Sequence, residues 1–359
     1  MRGSKFITAV LAQAAVVVSI AAAHAAPPAA LVEAANREGR LVVAGPPIQA
    51  HRETIMKFQE AYPAIKLEYD GTPPQVKEPR ISAERGSGKF LVDIFISGAG
   101  SSAFAYYIPG GWFDELRPAV VDPEVTSDAK WIGGFEAGFG DTGKRYVYAF
   151  TAERAAGLFV NKDIVREDFT FHSLTDPKYQ GKIASLDPRL AGPGQTTLQQ
   201  IVANIGEEKA CQMLSTQKFV LSETPKQIVD WAARAAYPIL IGADTATMNN
   251  YKTTGLAKNV QIVPDARGTV LSKWGNIMLM NRAPDPNAAK LFINWILSRD
   301  AQVIWSKSSG VNSRRTDVEP ANPDAVIDAD VWANGYNISV ERNAADALKV
   351  TKLAQSCLK

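Results

Sequence analysis

The chain has 359 residues, 46% of them hydrophobic and 21% charged, with 39 basic and 37 acidic side chains. That length accommodates two domains of ordinary size, and the composition is that of a soluble globular protein. The first 25 residues contain Arg2 and Lys5 and no acid, so the remainder carries 37 charges of each sign. A balance near zero supplies no field for nucleic acid or an anionic membrane, which leaves a small molecule or a protein as partner.

The N-terminus differs from the rest. An apolar run from Phe6 to Ala23 follows Arg2 and Lys5, and Ala23-His24-Ala25 has the small-x-small form of a signal-peptidase site. Charged, apolar and cleavage regions in this order predict a secretory signal peptide over residues 1–25, cut after about Ala25, rather than a structural helix. A retained membrane anchor is the alternative, because the run is only just long enough to span. No lipobox-type cysteine lies near the cut, so a lipid anchor is not expected. Only Cys211 and Cys357 are present. An exported compartment permits a disulfide, but spacing alone does not decide between a bridge and two thiols, and it excludes a cysteine-based zinc site.

A short helix pattern over 27–40 leads to a strand at 41–44, a Pro-rich loop containing Ile48, and an amphipathic helix over 50–62 with Ile55, Phe58 and Tyr62 on one face. A second strand at 65–69 and a polar helical segment lead to Leu91–Phe113. That stretch opens with apolar residues around Asp93, passes through Ser97, Gly98, Ala99, Gly100, Ser101 and Ser102, and predicts a helix through Tyr106 and Tyr107. The succession βαβαβ implies a parallel sheet with right-handed crossovers. Helical spacing assigns Tyr106 and Tyr107 to core packing.

Strand-like runs at 146–150 and 157–160 flank Arg154. A second α/β unit follows, with a strand at 181–186, a turn-rich loop over 187–194, helices at about 195–205 and from 206, a helix over 224–235 with Trp231 buried, and a strand at 238–242. Strands at 260–263 and 275–280 bracket a loop carrying Trp274. The most legible helix lies within 281–298, where Ala288, Leu291, Phe292, Trp295 and Ile296 make one apolar stripe. The tail is Ser/Asn/Pro-rich and then helical near 344–354.

Gly98 to Ala103 fits G-x-G-x-x-A between strand and helix. It follows the third strand rather than the first, and an exported compartment suits nicotinamide cofactors poorly, so no cofactor is expected. His51 and His172, the two histidines beyond the leader, sit in no metal-binding spacing, and there is no G-x-S-x-G elbow. No catalytic set nominates itself. The loop Gly192-Pro193-Gly194-Gln195-Thr196-Thr197 is the counterpart, in the second unit, of the loop after the third strand. Backbone N–H groups and hydroxyls at a helix start suit a carboxylate or phosphate, although N-capping by Thr196 or Thr197 would explain the same residues. Facing each other across a cleft, the two loops would hold a ligand between two lobes.

This order of features resembles the bacterial extracellular solute-binding proteins of ABC importers, in the branch that includes ferric-ion-binding proteins. The resemblance covers nearly the whole chain beyond the leader. It rests on Asp176-Pro177-Lys178-Tyr179-Gln180-Gly181-Lys182-Ile183-Ala184, on Asp187-Pro188, on Ala283-Pro284-Asp285-Pro286-Asn287 through Trp295, and on Asn312 to Val318. It implies an α/β, two-lobed periplasmic-binding-protein fold (type II) with two chain crossings between lobes, placed near Tyr148–Thr151 and Trp274–Ile277. Lobe one would be 38–148 plus 275–325 and lobe two 149–274, with 326–359 unallotted.

The iron site of that branch does not carry over. His51 falls where some members have a histidine ligand, but the carboxylate expected after the third strand is Gly98 or Ala99. An expected tyrosine pair is replaced by Asp244-Thr245-Ala246-Thr247. Ferric iron requires several hard anionic oxygens. The expectation is therefore a monomeric periplasmic component, not an enzyme, that delivers a small organic anion to an inner-membrane ABC permease, with no metal. Ile48, Ser97, Gly98, Ser101, Ser102, Arg154, Gly194, Gln195, Thr196, Asp244, Thr245 and Trp274 are the candidate ligand contacts. A ferric-ion binder and an exported enzyme on the same fold are the alternatives.

Overall fold

The structure is a computed structural model and describes residues 27–98, 102–243 and 245–358. The signal-peptide reading, Ser101 and Asp244 lie outside the described residues. The first half opens with α1 (Ala29–Glu38), β1 (Arg40–Ala44), α2 (Gln49–Ala61), β2 (Lys66–Asp70), α3 (Pro74–Gly86) and β3 (Ile94–Ser97). Strand β1 pairs in parallel with both β2 and β3. Both faces of β1 and β3 are covered: Leu41 and Val43 join a core against α1, α2 and the later helix α8 (Pro286–Leu297), while Val42 and Ala44 join a second core on the opposite face. Burial on two sides explains the continuous apolar runs in the sequence.

Strand β3 begins three residues later than the apolar run from Leu91 suggests. The buried Asp93 carboxylate accepts from the backbone N–H groups of Val42 and Asp285, both at 2.8 Å, and so replaces a ladder bond with side-chain pairing. The stretch expected to be a helix through Tyr106 and Tyr107 is one π-helical turn, Ala103–Tyr107. Tyr107 donates its hydroxyl to Glu78, whereas Tyr106 is 65% exposed, a correction to the core role that spacing suggested for it.

Short strands β4 (Phe113–Asp114) and β5 (Tyr148–Ala149) complete this sheet with β13 (Asn276–Met280), in the order β2-β1-β3-β13-β4 with β5 also on β13. Between β5 and β13 the chain builds the second lobe from β6 (Glu153–Arg154), β7 (Leu158–Asn161), β8 (Ile183–Leu186), α4 (Pro193–Ile205), α5 (Glu207–Thr216), β9 (Val220–Ser222), α6 (Pro225–Ala233), β10 (Ile239–Ile241), α7 (Thr245–Thr253), β11 (Val260–Ile262) and β12 (Val270–Leu271). Its sheet runs β11-β7-β10-β8-β9, again with a core on each face.

Strands β6 and β12 pair with each other, antiparallel, and form the ribbon that joins the lobes. Beside it Phe150 N–H donates to Gly275 O at 2.8 Å and Thr151 Oγ1 to Ser272 O at 2.6 Å. The two chains approach so closely that a Cβ on Gly275 would lie 1.9 Å from Thr151 Oγ1. After β13 come α8, then α9 (Arg299–Ser309), α10 (Ala329–Asn334) and α11 (Glu341–Cys357). Helix α9 was not apparent in the sequence because α8 and α9 are separated by the single extended residue Ser298, whose hydroxyl caps α9 at Ala301 N–H.

The tail runs along the ribbon, with Ile338 N–H donating to Val270 O at 2.9 Å, before α11 docks on α4 and α5. A disulfide joins Cys211 of α5 to Cys357 at the end of α11 across 146 residues of chain. In the chain-entropy description a loop of that size stabilises by up to about 5 kcal/mol. Cys357→Ser is expected to lower the unfolding free energy of the second lobe by about 2–5 kcal/mol, read as a fall in its denaturant midpoint, and wild type under a strong reductant should behave in the same way. An unchanged midpoint would show that the bridge constrains nothing the fold needs.

Candidate functional site

A cleft of ≈ 720 Å³ opens between the lobes. On the first-lobe side it is walled by Pro47, by Pro74, Gln75 and Glu78 at the start of α3, and by Ser97, Gly98 and Ser102 at the end of β3. The second-lobe side is the start of α4, with Gly192, Gln195, Thr196 and Gln199. Lys273 and Trp274 from the hinge close the back, and Ala344 and Ala347 of α11 close one flank.

The first-lobe loop is fixed by Asn276, whose Nδ2 donates to Ser97 O at 3.2 Å. On the opposite side, Gly192 occupies the N-cap of α4 at φ +147°, a conformation that L side chains rarely adopt. A capping Ser, Thr or Asp is therefore excluded there, Pro193 has no N–H, and among the described residues no side chain caps the N–H groups of Gly194 and Gln195, while Thr196 N–H already donates to Gly192 O. Helix starts leave such donors without intrahelical partners and carry a partial positive charge, so the start of α4 turns a partly positive end toward the cleft.

Lys273 is the one basic side chain among the described cleft residues. It sits at φ +42°, an uncommon backbone conformation for a residue with a side chain, held by the hinge. Its ammonium is 2.5 Å from Glu153 Oε2, and Glu153 is only 1% exposed. An ammonium has three donors, so the pair leaves two directed elsewhere.

Residues 90–335 match a family model described as bacterial extracellular solute-binding protein. The chain belongs to this family. Among solved structures this solute-binding protein is similar to the apo ferric ion-binding protein A of Pasteurella haemolytica, at 15% identity over 89% of this chain and 98% of that one, with a TM-score of 0.67. It is similar to Trichodesmium IdiA/FutA in complex with iron and citrate ligands, at 15% identity over 89% and 99%, TM-score 0.66. It also resembles the substrate binding protein of the ABC transporter from Agrobacterium tumefaciens, at 16% identity over 89% and 94%, TM-score 0.64. A curated relative, an uncharacterized protein of Haemophilus influenzae, is 25% identical over 169 residues, and the match spans 46% of each chain, just under half the relative's length. At these identities the structural likeness shows the fold, which is the two-lobed α/β periplasmic-binding-protein fold that the sequence resemblance implied. Family and fold are those of binding proteins rather than enzymes.

Of the candidate contacts, Ser97, Gly98, Ser102, Gln195, Thr196 and Trp274 line the cleft. Gln195 does so with its amide engaged, since Nε2 donates to Ala347 O at 3.1 Å and Thr351 Oγ1 at 2.7 Å on α11. Gly194 is buried behind the wall, where a Cβ would meet Leu186 O at 2.6 Å. Ile48 caps α2 and is exposed beside the cleft-lining Pro47. Thr245 opens α7.

Arg154 is in a separate cavity with Lys252 and Asp265, and its Nε donates to Val326 O. Successive strand residues face opposite ways: in β6 it is Glu153 that reaches Lys273, which turns Arg154 to the other side.

The sequence reading missed Lys273, Glu78, Gln75 and Gln199, and the flank supplied by α11. A lysine adjoining Trp274 at a predicted crossing was the available signal for the first. Glu78 and Gln75 were concealed in a helix whose polarity reads as a solvated face.

His51 is 3% exposed, stacked on Trp305 with ring centroids 4.5 Å apart, and neither ring nitrogen has a hydrogen-bond partner. Burial first, and then the Lys273 ammonium, push its pKa down to about 4. The unfolded chain therefore binds the His51 proton between about pH 6.5 and 4 while the folded chain does not, so the folded state loses stability as pH falls through that window. The loss is about 3 kcal/mol. His51→Gln should narrow the difference between unfolding free energies at pH 7 and pH 4 by about that amount. An identical pH dependence in the variant would show that His51 is not the responsible group.

Proposed function

We propose that this protein is the periplasmic solute-binding component of an ABC importer, captures a small organic anion between its lobes, and delivers it as a monomer to an inner-membrane permease. The observation that carries this reading is the uncapped start of α4 facing the cleft, with Lys273 and Trp274 at its back. Backbone N–H groups and an ammonium suit a carboxylate or phosphate, and an indole with flanking prolines suits an apolar body. A solute touching both walls favours the closed arrangement of the lobes by the difference in contacts between open and closed states.

Two of the similar structures are named for iron, which motivates the ferric alternative. The donors in this cleft favour the organic reading. No tyrosine lines it among the described residues, its one described carboxylate is Glu78, and His51 is buried against Trp305. Among the described residues no group of three or more His, Cys, Asp or Glu side chains is placed to hold a metal ion. Ferric iron requires more hard anionic oxygens than that.

Native mass spectrometry of freshly purified protein, with release and identification of the bound species, tests the proposal. An unaltered organic anion is expected. A bound metal without organic partner would overturn the reading, and a chemically converted product would replace it with an enzyme. With the recovered solute, Lys273→Met combined with Glu153→Gln, which keeps the hinge electrically neutral, is expected to weaken binding ten- to hundredfold by calorimetry. Unchanged affinity would remove Lys273 from the site.

A further inference from the structure

The two walls of the cleft differ in charge. On the second-lobe and hinge side are the positive end of α4 and Lys273, whose charge is already balanced by Glu153. On the first-lobe side the one described charged group is Glu78, and it has no basic partner within ion-pair distance among the described residues. Its Oε2 accepts from the Tyr107 hydroxyl, Oε1 has no hydrogen-bond partner among the described residues, and Gln75 lies one helical turn earlier on the same cleft-facing side of α3. A half-buried carboxylate without a counter-ion, facing a closing cleft, disfavours a second anionic group and favours a cation with hydrogen-bond donors.

The geometry points to a zwitterionic solute: a carboxylate or phosphate at the start of α4 and Lys273, an ammonium or similar cationic donor at Glu78 and Gln75, and an apolar body of moderate size against Trp274 and the prolines. This rests on the reading of the cleft as an organic-anion site and adds the second pole. Specificity follows from the requirement that both poles match when the lobes close, since a solute lacking the cation leaves Glu78 desolvated opposite nothing.

Matched pairs of probes that differ only in the ammonium test this, measured by calorimetry on the wild-type chain freed of bound material: phosphoethanolamine against ethyl phosphate, and tryptophan against indole-3-propionate. In at least one pair the zwitterion is expected to bind tenfold or more tightly than its anionic partner. Glu78→Gln should reduce that preference to about unity by weakening the zwitterion. Glutamine retains an oxygen for the Tyr107 hydroxyl, so the variant is expected to fold, which its thermal transition will verify. Equal or reversed affinity within both pairs, or binding of no probe at millimolar concentration, overturns the zwitterion inference. A co-purified organic anion without a cationic centre also overturns it while leaving the organic-anion reading intact. A bound metal alone overturns both.

Discussion

Glu153 is the group on which the hinge and the cleft both depend. A carboxylate with 1% exposure is sustained only by partners, and it has two: the Asn312 N–H at 2.9 Å and the Lys273 ammonium. The first ties strand β6 to the returning tail. The second holds a lysine in an uncommon backbone conformation at the back of the cleft. Removing either charge would leave the other poorly compensated, which for buried pairs is far more damaging than replacing both. The pair thus fixes the position of the cleft's one described cation while reducing its net charge.

The same region carries the mechanical connection between the lobes. Thr151 and Gly275 meet side chain to backbone, and Arg314, fully buried, donates to the carbonyl oxygens of Ala149, Ile132 and Gly134 and to the Tyr148 hydroxyl at 2.6 Å. Burial of a guanidinium is tolerable because its fork of donors is satisfied and its face lies near Trp131 and Trp332. The tail then passes from the ribbon to α11, whose start bonds to the first lobe, where Glu341 N–H meets Gly140 O, and whose end is disulfide-bonded to the second. Helix α11 therefore restrains the flank of the cleft that it also lines.

Much of the fold was legible because its information is local. Strands β1, β3, β7, β8, β10 and β13 read as apolar runs since both faces are buried, and α2 and α8 read as stripes since one face is. The ends were less legible where side chains replace backbone pairing, as Asp93 does before β3 and Ser298 does before α9. The site divided along the same line. Ser97, Gly98, Thr196 and Trp274 follow from position at strand ends, helix starts and crossings. Arg154 was placed correctly along the chain, but the direction of its side chain depends on which neighbour in β6 faces the hinge, and that is decided by Glu153 finding Lys273 some 120 residues later. Glu78 and α11 reach the cleft only through tertiary packing.

Shared architecture and differing chemistry separate cleanly here. The two-lobed fold brings the ends of the same strands and helices to a cleft in proteins that are about 15% identical, so position in the chain predicts which residues face a ligand but not what they offer it. In this chain the position after β1 carries a histidine packed on Trp305, with its ring nitrogens without partners, and the positions at the end of β3 carry Ser97 and Gly98 rather than acids. A cleft whose described residues supply hydroxyls, one lysine balanced by Glu153 and the single carboxylate of Glu78 offers fewer hard anionic oxygens than ferric iron requires, which supports the proposed organic-anion reading over the ferric one. Glu78, contributed by α3 rather than by any strand end, is then the remaining charge for a ligand to answer, and its position across the cleft from the α4 start makes the site dipolar.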